Sequence, residues 1–197
     1  MSETRSYPRH VKTDAGDIEF RMMARSDEAA VLAFAQKLPT HDLLFLPRNI
    51  SQPKVLSAWV NEIERGAITS LLAVKGGTVV GCGTLVRDPH SWSPHVGEIR
   101  MVVSLDVRGQ GVGRALSQET FALALGVGLE KLSVQMTVDQ QAAITLFESL
   151  GFKAEALLRD HVRDVDGKKH DIVVLGHDVA QVRAQMEAYG LPGAVQH

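Results

Sequence analysis

The sequence predicts an α+β fold: one domain built on a mixed, mostly antiparallel central sheet, with helices on both of its faces. Three observations predict it. Apolar runs rich in β-branched residues recur between glycine and proline punctuation. Amphipathic stretches with apolar residues three and four apart separate those runs. One succession of strand, helix and strand, over residues 96–137, demands a parallel pairing inside a sheet otherwise joined by hairpins.

Residues 1–16 carry Pro8, several charges and no periodicity, and are expected to form a mobile N-terminal arm. Order is expected from about Ile18, where "IEFRMM" has strand character. Ser26, with Glu28 close behind, is the expected N-cap of a helix that repeats Val31, Phe34, Ala35 and Leu38. "LPTHDLLFLPRNI" is bounded by prolines and too apolar for a solvated connection, so it reads as a packed loop lining a pocket. Ser51 is the expected cap of a second helix, with Val55, Trp59, Val60 and Ile63 on one face and Gly66 as its stop.

"ITSLLAVKGGTVVGCGTLVRD" is two apolar runs joined at Lys75, Gly76 and Gly77, a β-hairpin. "HVGEIRMVVSL" adds a third antiparallel strand. A glycine-rich turn then opens a long helix carrying Val112, Leu116, Leu123 and Val127 and ending near Gly126 or Gly128. "KLSVQMTV" is the next strand. "QQAAITLFESLGF" is the next helix, with Ala143, Leu146, Phe147 and Leu150 on one face and Gly151 as its stop. A last hairpin turns at Asp166 and Gly167, and residues 181–197 are left as a C-terminal helix or tail.

Bulk properties exclude several functions. With 197 residues, 45% of them hydrophobic, the chain buries one substantial core and does not suggest two. A formal charge of -2 supplies no field to attract nucleic acid or an anionic membrane. Cys82 is the only cysteine, which rules out an internal disulfide and a thiolate zinc cluster and fits a reducing, cytoplasmic setting. No apolar run reaches the length of a membrane span, and the N-terminus lacks the apolar centre of a leader. The histidines are scattered without metal-ligand spacing, so no metal is expected.

The informative stretch is "DVRGQGVGRALSQETF", residues 106–121. Glycines at alternate positions let backbone approach a ligand and let successive N–H groups converge on an anion. Placed at a helix start, such a turn adds free N–H donors and the positive end of the helix dipole. Arg108 and Arg114 flank it, so a diphosphate is the obvious guest, and a tight turn without ligand is the plain alternative. The nucleoside triphosphate loop requires Gly-Lys-Ser/Thr where Arg114 and Ala115 follow Gly113. The dinucleotide fingerprint requires wider glycine spacing in a parallel sheet.

Arg108, Gly109, Gln110, Gly111, Val112 and Gly113 resemble the Arg/Gln-x-x-Gly-x-Gly/Ala turn of the GCN5-related N-acetyltransferases (GNAT), and "LFESLGF" is similar to that family's "LYEKxGF" segment. The order of elements matches from about Ile18 to Val179. The resemblance implies that residues 17–180 form an acyl-CoA N-acyltransferase domain whose central parallel strands, "GEIRMVV" and "KLSVQMT", splay apart. It implies that the amides of Gly109, Gln110, Gly111, Val112, Gly113 and Arg114 hold the CoA pyrophosphate. Met101, Val102 and Val103 end the strand before the turn, and Met101 and Val103 are implied to pair with the pantetheine arm. Gln140 stands where the family often has an asparagine contacting that arm. Phe147 stands where many members have a tyrosine that protonates the leaving thiolate, and phenylalanine has no such proton.

Function follows as an expectation from the resemblance: direct transfer of an acetyl group from acetyl-CoA to a primary amine within a ternary complex. Glu98 is the implied general base, with an ion-paired surface glutamate as its plain alternative. His41 and Asp42, His90, Trp92 and His95, and His161 and Arg163 fall in regions that surround the acceptor in the family. Phe45, Trp59 and Trp92 are candidates for the cleft, with a place in the core as their plain alternative, and Cys82 reads as a small buried residue, with an acyl-cysteine role the remote alternative. The acceptor stays open among small amines, amino acids, antibiotics and peptide termini, with the slightly acidic chain favouring a cationic small molecule. The competing expectation is an acyl-CoA sensor without turnover. Homodimers are common in the family.

Overall fold

A computed structural model describes residues 5–180. Eight strands form one sheet in the order β1-β2-β3-β4-β5-β6-β8-β7. In chain order the elements are β1 (Arg9–Thr13), β2 (Gly16–Met22), α1 (Glu28–Ala35), α2 (Pro53–Glu64), β3 (Ile68–Lys75), β4 (Thr78–Val86), β5 (Val96–Val103), α3 (Val112–Gly126), β6 (Lys131–Thr137), α4 (Gln141–Ser149), β7 (Lys153–Arg163) and β8 (Lys169–Asp178). Every neighbouring pair is antiparallel except β5 with β6, which are joined through α3. The C-terminal helix or tail expected over 181–197 lies outside the described residues.

Both faces of the sheet are covered, which explains why its central strands read as unbroken apolar runs rather than alternating ones. Leu72 and Val74 of β3 face α1 and α2 with Val31, Leu56 and Val60. Leu71 and Ala73 of the same strand face α3 with Val112 and Leu116. Further along, Ile99, Leu132 and Val134 meet Ala124 of α3 and Phe147 of α4. Gly83 sets the approach of α3 to the sheet, because a Cβ there would stand 2.2 Å from Thr120 Oγ1. No helix among the described residues is long and apolar enough to cross a membrane.

The structure differs from expectation at three starts. Residues 9–13 are not a free arm but the edge strand β1, paired with β2 from Arg9 opposite Phe20 to Thr13 opposite Gly16. Their anchor is distant in sequence: the buried Glu119 of α3 accepts a 2.9 Å hydrogen bond from Tyr7 Oη and pairs with Arg5 at 2.7 Å. Burial, then Glu119, drives the Tyr7 phenol well above its ordinary value, so it stays a donor. Ser26 does not cap α1; Asp27 holds the N-cap position, and its carboxylate braces the preceding turn instead of the helix, accepting from the Ala24 N–H at 2.9 Å and from both Nη atoms of Arg21. Ser51 does not cap α2 either. It bonds Asn49 Oδ1 through N–H and Oγ, and the helix starts at Pro53, whose missing N–H is no loss in a first turn.

Glu119→Gln tests the anchor. It should cost about 2 kcal/mol of stability and speed hydrogen exchange at the Val11 and Thr13 amides more than elsewhere in the sheet. Unchanged relative exchange in β1 would show that strand pairing alone holds this edge.

Candidate functional site

The parallel pair β5 and β6 is bonded only from Val96 opposite Lys131 to Ile99 opposite Val134. Beyond that point each strand keeps its outer neighbour. Arg100 to Val103 remain paired with β4, and Gln135 to Thr137 with β8. The inner edges therefore part into a V, and backbone groups that point into it need partners from outside the ladder. The carbonyl of Val103 has one: Arg108 donates to it from Nε at 3.2 Å and from Nη2 at 3.0 Å.

The glycine turn lies at the end of β5. Gly109 and Gly111 have φ of +70° and +81°, left-handed values that favour glycine, and Gly111 is the residue from which α3 starts. Gln110 Nε2 ties the turn to the Asp106 carbonyl at 2.8 Å. Gly113 is different. It is helical, and an added Cβ would meet only Leu146 Cδ2 at 3.7 Å and Val103 Cγ2 at 3.9 Å, ordinary contacts. Nothing among the described residues requires a glycine there, although one in a helix costs up to about 1 kcal/mol relative to alanine. A bare backbone beside free first-turn N–H groups fits the close approach of an anion, so the residues present suit a diphosphate.

Arg114 extends across to α4, where Nη2 donates to Ser149 Oγ at 3.0 Å. Arg108 does not turn toward the glycines: besides Val103 it pairs with Asp42 at 2.7 Å. Gln140 precedes α4 at the far side of the V, its Oε1 accepting from the Thr137 N–H at 3.3 Å. Phe147 is buried in the core, its ring 5.2 Å from that of Phe152.

The loop expected to line a pocket does more than that. Its 3-10 turn, Thr40–Leu43, reaches both arms of the V with adjacent residues. Asp42 holds Arg108 at the end of β5. His41 Nε2 lies 2.9 Å from Asp139 Oδ2 and 3.4 Å from Thr137 Oγ1 at the end of β6. A hydrogen bond from Thr137, supplemented by His41, holds the Asp139 carboxyl below the usual range. The His41 ring stands 5.0 Å from that of His170, whose Nε2 donates to Asp164 Oδ2 at 2.7 Å. His41, Asp139 and His170 bring donor atoms within 4.8 Å of one another, a cluster invisible in sequence spacing.

On the α1 and α2 face lies a cavity of about 390 Å³ between that loop, α2 and strands β3 to β5. Trp59 lines it, as does Arg100 of β5. Glu98 shares the Arg100 face of the strand and is bound bidentately by it, Nε to Oε1 at 2.8 Å and Nη2 to Oε2 at 3.0 Å. Cys82 also lines the cavity, but burial pushes its thiol up to about 12, which removes the thiolate an acyl-cysteine would need. Phe45 packs against the adjoining core instead. His90, Trp92, His95, His161 and Arg163 are exposed. Sequence reasoning overlooked Arg48, Arg100, Asp139 and His170, because each gains its meaning only from chain distant from it.

Residues 37–152 match the family described as the acetyltransferase (GNAT) family. The mouse protein named "Probable N-acetyltransferase family 8 member 5" is 37% identical over 84 residues, 42% of this chain and 37% of that one. The alanine N-acetyltransferase of ribosomal protein bS18 from Escherichia coli is 31% identical over 74 residues, 38% of this chain and 50% of that one. The chain thus spans half or less of the length of these relatives. Among solved structures, an acetyltransferase of the GNAT family from Streptococcus pneumoniae superposes with a TM-score of 0.71 at 20% identity, over 82% of this chain and 99% of that one. The yncA protein of Salmonella typhimurium, solved with its cofactor acetyl-CoA, gives 0.70 at 18%, over 82% and 94%. With the family match covering more than half of its length, and with the parted strands and glycine turn in place, the chain belongs to the acetyltransferase (GNAT) family.

Proposed function

We propose that this protein is an acetyl-CoA-dependent N-acetyltransferase that moves the acetyl group directly to a primary amine while both substrates are bound. The observation that carries the reading is the continuity of the V with the glycine turn, where Gly113 leaves bare a backbone that its own neighbours do not crowd. Acetyl-CoA supplies the activated acyl group as a thioester. The amides of residues 109–114 hold its diphosphate, and the inner edges of Met101 to Val103 hold its arm, for which the Val103 carbonyl exchanges Arg108 as partner. Gln140 faces that arm from the other side.

An amine with a lysine-like pKa must lose a proton before it attacks, at a cost of roughly 4 to 5 kcal/mol at pH 7. Glu98 accepts that proton, directly or through water. Its bidentate contact with Arg100 leaves a second lone pair on each carboxylate oxygen, so it accepts without first releasing the guanidinium. The departing sulfur needs a proton that Phe147 cannot give. His41 supplies it from Nδ1, the ring nitrogen turned away from Asp139, while Asp139 steadies the imidazolium. A sensor that binds without turnover is the competing reading, and Phe147 is the observation in its favour. A cytoplasmic setting, no resident metal and a homodimer complete the proposal, and a peptide amine or a small-molecule amine is the acceptor.

Calorimetry with acetyl-CoA tests the site. Gly113→Ala should leave the fold intact and raise its stability by up to about 1 kcal/mol, yet weaken binding at least tenfold. Undiminished affinity would remove the turn from the site. Thiol release with an amine panel separates enzyme from sensor. Glu98→Gln should lower kcat by about two to four orders of magnitude. His41→Gln should lower kcat with little change in the KM for acetyl-CoA. An unchanged kcat in His41→Gln would assign the proton to another group.

A further inference from the structure

The charge of the cavity opposes that of the chain. Overall the protein carries a formal -2, but the charged side chains lining the cavity are Arg48, Arg100 and Glu62. Glu62 is matched within its own helical turn by Arg65 at 3.0 Å. Arg100 commits Nε and Nη2 to Glu98, and its Nη1 makes no hydrogen bond among the described residues. Arg48, exposed in the apolar loop, has no hydrogen bond or ion pair among the described residues. The rest of the wall is largely apolar, with Leu46, Ile50, Val55 and Trp59 prominent.

Resting on the acetyltransferase reading, we infer that the acceptor is an α-amino acid with an apolar side chain, its carboxylate held by Arg48 and Arg100. Guanidinium groups bind carboxylates through directed, charge-assisted hydrogen bonds, and an unpartnered one at an apolar cavity is a recognition element for such an anion. The Glu98–Arg100 pair presents an anion and a cation side by side on one strand. That is the complement of a zwitterion: the ammonium meets Glu98 and the carboxylate meets Arg100, one carbon apart. Arg100 is also the first residue past the last β5–β6 pair and Glu98 is paired with Ser133 just before it, so the two side chains straddle the point where the V opens. The cavity volume falls at the small end of the range for small-molecule sites, roughly 300 to 1,000 Å³. A polyamine would face two cations at the same wall, and a peptide N-terminus would offer an amide where the site offers guanidinium groups.

The reaction balances without a further reactant. The ammonium gives one proton to Glu98, the neutral amine nitrogen bonds to the acetyl carbon, the carbon–sulfur bond breaks with its electron pair leaving on sulfur, the second proton on nitrogen passes to water, and one proton passes from His41 to sulfur.

The test compares pairs that differ only in the carboxylate: L-phenylalanine against phenethylamine, and L-leucine against 3-methylbutylamine, with L-phenylalaninamide and spermidine alongside. Thiol release is measured at saturating acetyl-CoA. The expected result is a kcat/KM at least tenfold higher for each amino acid than for its decarboxylated partner. Arg48→Gln, at an exposed position that the fold does not depend on, should bring that ratio below about threefold through a higher KM for the acid. Equal or better use of the decarboxylated amines, the amide or spermidine would overturn the inference while leaving the acetyltransferase reading intact, as would a ratio that persists in Arg48→Gln. Acetyl-CoA binding without turnover of any acceptor, or no binding in calorimetry, would overturn both.

Discussion

The parting of β5 and β6 after Ile99 and Val134 is the constraint around which the rest of the molecule is arranged. Two neighbouring strands that separate in the middle of a sheet leave backbone donors and acceptors exposed to whatever fills the gap, and each unpaired group costs free energy if it is buried. The sheet tolerates the gap because the outer edges of both strands stay bonded, β5 to β4 as far as Val103 and β6 to β8 as far as Thr137. Helices α3 and α4 close the underside with Ala124, Phe147 and their neighbours. The turn at Thr40–Leu43 closes the top, its Asp42 tied to one arm and its His41 to the other.

This arrangement gives Arg108 a structural part that its position in the motif does not announce. Its guanidinium bonds the Val103 carbonyl at the inner edge of the V and Asp42 of the bridging turn together. Under the proposed reading these bonds are made with the arm absent and yield to it. The same loop carries Arg48 to the cavity, so one segment of chain touches both the arms of the V and the cavity wall.

Much of the fold was legible in the sequence, since its local signals agree with its packing. The Gly76-Gly77 hairpin has φ of +53° and +82°, and Gly151 ends α4 at +91°, as their positions after apolar runs imply. What was not legible depended on long-range contacts. β1 has no apolar alternation, and its order rests on Glu119, more than a hundred residues away. Ser26 and Ser51 satisfy the local rule for a cap, but Asp27 gains Arg21 as a second partner, and Pro53 fixes the start of α2 by itself. At the site, the glycine turn was legible because glycine at alternate positions is a backbone signal. The His41, Asp139 and His170 cluster was not, because three elements assemble it.

Phe147 shows how the two kinds of information meet. Read alone, a phenylalanine at a position the family often gives to tyrosine argues against turnover. In the structure its ring belongs to the core, edge-on to Phe152, and a hydroxyl there would need a partner in an apolar cluster that includes Val134 and Leu175. The site gains core packing and loses a proton donor. Under the proposed reading the proton comes instead from the opposite side of the V, where His41 stands, half-buried and bonded to Asp139. An imidazole on a bridging loop is positioned less rigidly than a hydroxyl on a helix, but it exchanges protons with water more readily near neutral pH. Under the proposed reading, the group that completes the chemistry belongs to the loop that ties the two arms of the V together.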